Sequence, residues 1–165
     1  MASDMFLKIE GPAMDGEAQD DVHKNEIDVL AWSWGLSQSG TTHLGPGGGS
    51  GKVNVQDISV TKYVDSASHA LMKCCLTGKH FEKATLTIRK AGGDKPLEYL
   101  VIKMQDLIVS SVSTGGSGGE DRLTENVSLN FAKVHVAYTP QTGKGTGDAV
   151  KKYGWNVPAN AEHTG

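Results

Sequence analysis

The segment whose residue types come closest to catalytic chemistry is a glycine-rich run that ends in a lysine, residues 45–53 (GPGGGSGKV). A nucleotide-binding phosphate loop needs a glycine five residues before its last glycine, and a serine or threonine after the lysine to hold Mg²⁺. This chain has Pro46 and Val53 at those two positions, and strand-like alternation follows Lys52. We therefore interpret the run as a loop and not as a nucleotide site.

The residues that most often bind metals do not fall into a recognisable pattern. Cys74 and Cys75 are adjacent, so one helix turn cannot direct both thiolates at a tetrahedral ion, and we interpret them as small apolar side chains. None of the histidines is expected to complete a metal site at helical ligand spacing, and each is interpreted as a surface or half-buried side chain. The six are His23, His43, His69, His80, His135 and His163.

The remaining candidates for chemistry are acidic and serine residues. The acidic cluster, Asp15, Glu17, Asp20 and Asp21, lacks the glycine and glutamate of a calcium loop and is expected to lie in a solvated loop. No serine lies in the strand-to-helix turn of a hydrolase, and no nucleophile, base and orienting group can be assembled. The sequence therefore predicts no catalytic, metal-binding or cofactor-binding residues, and a protein that is not an enzyme.

Composition excludes further classes of function. The 165 residues carry 16 Lys and Arg against 19 Asp and Glu, a net charge of −3, which gives no basic field for nucleic acid. No run approaches the ~18 apolar residues of a membrane helix, so membrane insertion is not expected. The first residues, MASDMFLK, show no pattern of a cleaved signal peptide.

Glycine is abundant and unevenly placed. The chain has 21 glycines, against an average of about 7% of residues, and most of them lie in residues 40–51, 115–119 and 143–147. Concentration in three short stretches is typical of loops between ordered segments rather than of a low-complexity chain.

The elements between these loops alternate in the manner of strands. Residues 84–89 alternate apolar and polar side chains, and residues 127–138 do so with a slip in phase at 132–133 that indicates a bulge. A similar slip occurs within residues 53–63. Long strands that bend are typical of a strongly curved sheet or a barrel.

Further strands are predicted over residues 5–10, 27–36, 97–112 and 153–157, with a hairpin turn at 92–94. One segment has helical spacing, in which Asp65 or Ser66 can cap the start of the helix and Gly78 marks its end. Its apolar stripe is Ala67, Ala70, Leu71, Cys74 and Cys75. The sequence therefore predicts a single all-β domain over residues 1–165 with one inserted α-helix.

Several runs of this sequence resemble one family. Residues 114–131 (TGGSGGEDRLTENVSLNF) closely resemble the haemolysin-coregulated protein (Hcp) family, the tube subunit of the bacterial type VI secretion system. Further similar runs follow in the family's order, and the likeness extends over nearly the whole chain. They are FLKIEG at 6–11, EIDVLAWSWG at 26–35, VNVQDISVTKYVD at 53–65 and YGWNV at 153–157.

The resemblance implies a two-sheet β-barrel with one flanking helix. It also implies a homohexameric ring that stacks into a hollow tube, which a contractile sheath expels behind a valine-glycine-repeat spike protein. Small effector proteins would travel in the lumen. The chain would be made in the cytoplasm of a Gram-negative bacterium and secreted to the outside or into a target cell without a cleaved signal peptide.

The resemblance also indicates a contact loop. Residues 39–51 correspond to the family's extended loop, which reaches a neighbouring subunit or ring. Residues 12–15 lengthen the first loop relative to the usual pattern. The residues expected to make contacts in the extended loop are Thr42, His43, Leu44 and Pro46, with Gly47, Gly48 and Gly49.

A second interpretation stays open. A curved sheet could also form a monomeric β-barrel that binds a small ligand, and this alternative requires an apolar cavity.

Overall fold

Antiparallel strands dominate the computed structural model, which describes residues 3–39, 52–90, 96–141, 147 and 149–165. These residues form eleven strands and one helix. The strands are β1 Ser3–Glu10, β2 Ile27–Asp28, β3 Ala31–Ser33, β4 Leu36–Ser37, β5 Asn54–Val55, β6 Ile58–Tyr63, β7 His80–Lys90, β8 Leu97–Thr114, β9 Thr124–Tyr138, β10 Lys151–Asn156 and β11 Ala161–Glu162, and the helix is α1 Ser68–Thr77. The predicted all-β class is confirmed.

Nine of these strands form one sheet. Its main order is β11-β10-β9-β8-β7-β1-β2, while β6 pairs with both β3 and β9, and β4 and β5 form a separate ladder. The predicted hairpin turn at 92–94 lies outside the described residues. The strands on either side of it, β7 and β8, pair antiparallel.

The β2 end of this order and the branch formed by β3 and β6 approach each other through residues 27–33. The Val29 amide donates to the Met5 carbonyl at 3.0 Å, and the Leu30 amide donates to the Thr61 carbonyl at 2.7 Å. The first half of the segment thus borders β1, and the second half borders β6. The sheet consequently curls into a barrel-like arrangement, as the phase slips predicted.

The bend predicted at residues 132–133 is shared by three strands. Phe81, Leu107 and Phe131 are buried in one rank across the sheet, and the next buried rank is three residues away in each strand instead of two. That second rank is Ala84, Met104 and Val134. All three strands thus change phase together. Between the ranks, Asp106 has a φ of +53°, and the register itself shifts further along, between Val109 and Ser111.

Two predicted strands are divided in the structure. Residues 27–36 form β2, β3 and β4, and residues 53–63 form β5 and β6, because each segment changes its pairing partner along its length. The Gln56 amide donates to the Gly35 carbonyl at 3.0 Å, and the Trp34 indole donates to the Gln56 carbonyl at 2.8 Å. These bonds hold the two break points together.

Helix α1 is confirmed, with its apolar side chains toward the core. Leu71 and Cys74 are buried, and both cysteines are free thiols. Gly78 ends the helix with a φ of +65°, a conformation that glycine adopts without strain. The prediction that Asp65 or Ser66 caps the start is wrong, because the N-cap residue is Ala67. The Asp65 carboxylate instead accepts a hydrogen bond from the Ala67 amide at 2.9 Å.

Candidate functional site

The expected contact residues lie outside the described part of the chain. These are Thr42, His43, Leu44, Pro46, Gly47, Gly48 and Gly49. The residues on both sides of residues 40–51 are described, and they form the β4–β5 ladder, with Leu36 paired to Val55 and Ser37 to Asn54. Both ends of the extended loop therefore leave the barrel from one short ladder.

An apolar pocket of about 470 Å³ lies beside this ladder, and we call it the indole pocket. Leu36 and Tyr153 on its walls are 51% and 48% exposed, which is a large fraction for such side chains. The indole nitrogen of Trp155 is buried and has no hydrogen-bond partner, and burial raises the pKa of Tyr153. The pocket is lined by Trp34, Leu36, Gln38, Val53, Val55, Val134, Tyr153, Trp155 and Asn160.

The second glycine-rich stretch, residues 115–119, is exposed between β8 and β9. Its far end is attached to the barrel by Arg122, whose guanidinium lies 3.7 Å from the centre of the Tyr63 ring. The Val64 amide donates to the Leu123 carbonyl at 2.9 Å. Val64 and Leu123 are 40% and 45% exposed, so they form a second apolar surface at this end of the barrel.

Beneath that surface lies a fully buried ion pair. Lys62 on β6 pairs directly with Glu125 on β9, and its ammonium donates to a Glu125 carboxylate oxygen at 2.5 Å. Neither side chain has any exposed surface. The ammonium also donates to the Asp65 carboxylate at 2.9 Å and to the Tyr63 carbonyl at 2.8 Å. These contacts compensate the cost of burying the lysine charge.

The ion pair also holds the helix. The Ser68 hydroxyl, in the first turn of α1, donates to the Glu125 carboxylate at 2.6 Å and accepts the Asp65 amide at 2.9 Å. The second oxygen of Glu125 has no partner. One charge cluster thus connects β6, β9 and α1 next to residues 114–123.

The expectation of a solvated acidic loop is wrong for Asp20. Its carboxylate forms a two-point ion pair with Arg89, which is 8% exposed and also donates to Asp4 at 3.3 Å. The Arg89 guanidinium lowers the pKa of Asp20 to about 2. Arg89 was expected on the polar side of a half-buried strand, but the loop that carries Asp20 covers it.

The expectation of a surface or half-buried side chain is also wrong for His23. Its ring is buried and stacks on Phe6 at 4.5 Å between centroids. Nδ1 lies 2.7 Å from the Glu26 carboxylate, and Nε2 lies 2.6 Å from that of Glu98. These contacts fix the first loop against the beginning of β8.

The described residues contain no group of three or more His, Cys, Asp and Glu side chains that could hold a metal ion. No helix among them has the length and apolar character needed to span a bilayer. Two exposed apolar features of the described residues are the indole pocket and the Val64–Leu123 surface.

Comparison with known proteins shows which family this chain is similar to. Residues 6–138 match the family model of the type VI secretion system effector Hcp. The chain is 60% identical to the protein hcp1 of Pseudomonas aeruginosa over 163 residues, covering 98% of this chain and 99% of that protein.

Solved structures agree with the sequence comparison. Hcp1 from Salmonella typhimurium is 43% identical, with a TM-score of 0.80 over 99% of this chain and 100% of that one. A second solved structure, described as a type six secretion system protein, is 32% identical in sequence. It has a TM-score of 0.90 over 98% of this chain and 100% of that one. This chain belongs to the Hcp family of type VI secretion proteins.

Proposed function

We propose that this chain is the structural subunit of a type VI secretion inner tube, forming hexameric rings that stack into a hollow tube. The observation that carries the proposal is the likeness to Hcp proteins, which covers 98% of the chain at 60% identity. It includes the exposed run at residues 115–119 and the ladder from which residues 40–51 leave the barrel.

The exposed surfaces support repeated self-contact. The indole pocket has the partly exposed Leu36 and Tyr153 on its walls, and the other residues that line it are mostly apolar. Exposed apolar surfaces of this kind are typical of interaction sites. We infer that a second copy of the chain covers this pocket, and that the contact loop with Thr42, His43, Leu44 and Pro46 reaches a neighbouring subunit or ring.

Export and partners follow from the same proposal. The subunit is a secreted protein of a type VI system, made in the cytoplasm and released without a cleaved signal peptide. Its partners are further copies of itself, the valine-glycine-repeat spike protein, the contractile sheath and small effectors in the lumen. Nucleic acid and membrane lipid are not among them, and the chain carries out no catalysis.

The indole pocket also supports a second candidate, a monomeric barrel that binds a small apolar ligand. A volume of about 470 Å³ lies within the range of ligand sites. The two candidates differ in what occupies the pocket, a second copy of the chain or a small molecule.

Electron microscopy of Leu36→Asp, with Leu76→Asp as its control, separates the two candidates. Both leucines are exposed, at 51% and 87%, but Leu76 lies on α1, away from the pocket. We expect rings and tubes from the wild type and from L76D, and few or none from L36D. Rings of normal abundance from L36D would exclude the pocket as a subunit contact. Absence of rings from the wild type would contradict the tube proposal and favour the monomeric barrel.

A further inference from the structure

One face of the sheet carries a lysine on each of four adjacent strands. Lys83 of β7 pairs with Gln105 of β8, which in turn pairs with Lys133 of β9. Because paired residues project from the same face, Lys83 and Lys133 lie on one side of the sheet. Residues two apart on a strand share a face as well, so this side also includes Lys103 of β8.

The fourth lysine completes the group. His135 pairs with Lys103 on one side and with Gly154 of β10 on the other. Lys152 lies two residues before Gly154 and so projects from the same face. Four ammonium groups and an imidazole thus share one concave surface, which we call the lysine pocket.

The lysine pocket has a volume of about 310 Å³, and no acidic side chain is among the residues that line it. Gly165 is among the residues that line the pocket. Within the described part of the chain, Lys133 is the one pocket lysine with an ion pair, to the exposed Asp106 at 3.8 Å. The other three pocket lysines have no carboxylate within ion-pair distance there. The pocket therefore holds positive charge that the barrel does not neutralise.

The wall of this pocket is built by close backbone packing. The His163 amide donates to the Gly154 carbonyl at 3.0 Å, and a Cβ on Gly154 would lie 1.9 Å from the His163 carbonyl oxygen. Glycine at position 154 is thus what allows residues 163–165 to lie against β10. The Nε2 atom of His163 is buried there without a hydrogen-bond partner. What the pocket offers a ligand is the charge of its lysines.

We propose that the lysine pocket binds a small polyvalent anion of the phosphate class. The ammonium groups on neighbouring strands repel one another, which destabilises the sheet. A polyvalent anion bound between them would attract each ammonium group and offset this repulsion. Lysines that approach from several strands suit a phosphate group, which accepts hydrogen bonds on several oxygens. The pocket is too small for a folded partner, and binding of this kind is separate from assembly of a tube.

Protonation of His135 accompanies binding. Burial lowers the pKa of His135, and Lys103, Lys152 and His163 lower it further. The other charged side chains that line the pocket are Lys83 and Lys133. An anion in the pocket favours the imidazolium, so it raises the pKa of His135. Affinity consequently increases as the pH falls through that pKa, and protons are taken up on binding.

Titration calorimetry of the intact protein with sodium tripolyphosphate tests the proposal. Runs at pH 7 in two buffers of different ionisation enthalpy count the protons taken up. The test variant is Lys103→Gln/Lys152→Gln, and the matched control is Lys24→Gln/Lys73→Gln, which removes two exposed lysines elsewhere. We expect the test variant to lose about tenfold or more in affinity and the control to bind like the wild type.

A third variant separates the histidine from the lysines. His135→Gln is expected to bind with little proton uptake. Light scattering at the concentrations used confirms that each variant has the mass of the wild type, so that loss of binding is not loss of assembly. Absence of a binding heat in the wild type, or equal loss in the test and control variants, would overturn the proposal.

Discussion

The buried Lys62–Glu125 pair is the single contact whose loss we expect to destabilise the fold most. Both side chains are fully buried, so Lys62→Met leaves the Glu125 carboxylate without its cation. Breaking one side of such a pair costs about 3–5 kcal/mol. We expect K62M to lower the free energy of unfolding by that amount in urea titrations followed by circular dichroism at fixed protein concentration.

Two further variants control for this effect. Lys62→Met/Glu125→Leu removes both charges and is expected to recover most of the lost stability. Lys8→Met breaks an exposed pair with Glu10, whose partners are 3.6 Å apart and 54% and 39% exposed, and should cost less than about 1 kcal/mol. A K62M effect as small as that of K8M would contradict the role of the buried pair.

The ion pair between Asp20 and Arg89 should make the free energy of unfolding depend on pH in acid. Its pKa is lowered to about 2 by Arg89, below the ordinary value of 3.8, so the folded state binds this proton less tightly than the unfolded state. The stabilisation is complete above pH 4 and is lost as the pH falls from 4 towards 2. Partial exposure limits it to about 2 kcal/mol or less. When the free energy of unfolding is plotted against pH from 5 to 2, Asp20→Asn should show a shallower slope than the wild type.

At the scale of elements, alternation predicted the long strands and helical spacing predicted α1, because each of these elements lies against one core for most of its length. Strands β1, β7, β8 and β9 and helix α1 follow the predicted ranges closely. The divisions within 27–36 and 53–63 could not be predicted, since they arise where the chain changes pairing partner. That choice depends on residues far away in the sequence.

The alternation of apolar residues in the sequence could have indicated the buried Lys62–Glu125 ion pair. Lys62 continues the phase of the buried Ile58 and Val60, and Glu125 precedes Val127 in phase, so two opposite charges stand at core positions of neighbouring strands. Arg89 gave no such signal, since it is out of phase with Ile88 and is buried only by the loop that carries Asp20. The indole pocket combines side chains from segments that are distant in the sequence, so the pattern within any one segment could not predict it.

Gly154 allows β10 and the segment after β11 to pack together. In Gly154→Ala the new Cβ would lie 1.9 Å from the His163 carbonyl oxygen, so the hydrogen bond from the His163 amide must break or shift. Hydrogen exchange at the His163 amide should become at least tenfold faster than in the wild type. Gly119→Ala, where nothing lies within 4 Å, is the control and should leave that rate unchanged. Equal protection of His163 in G154A and the wild type would contradict this packing.

Shortening the contact loop should weaken the stacking of rings into tubes. Because both of its ends leave from the β4–β5 ladder, outside the main sheet, deletion of residues 47–51 should spare the barrel and the ring. Electron microscopy should then show separate rings and fewer or shorter tubes than in the wild type. Loss of the rings themselves would show that the loop acts within a ring.

At the scale of the whole molecule, the barrel combines a stable interior with unsatisfied surfaces. The core extends through β1, β6, β7, β8, β9 and α1, while the indole pocket and the Val64–Leu123 surface remain open to neighbours. Under the tube proposal, such surfaces repeated around a ring would bury the apolar area that one chain leaves exposed.

The mass of the purified protein in solution tests the tube proposal most directly. A ring contact of obligate type buries roughly 2,000 Å² or more in total, which is enough to hold subunits together at micromolar concentration. Light scattering coupled to size exclusion should give a mass close to six times the 17.5 kDa of one chain. A single species of 17.5 kDa at that concentration would contradict the proposal that this chain assembles as a ring.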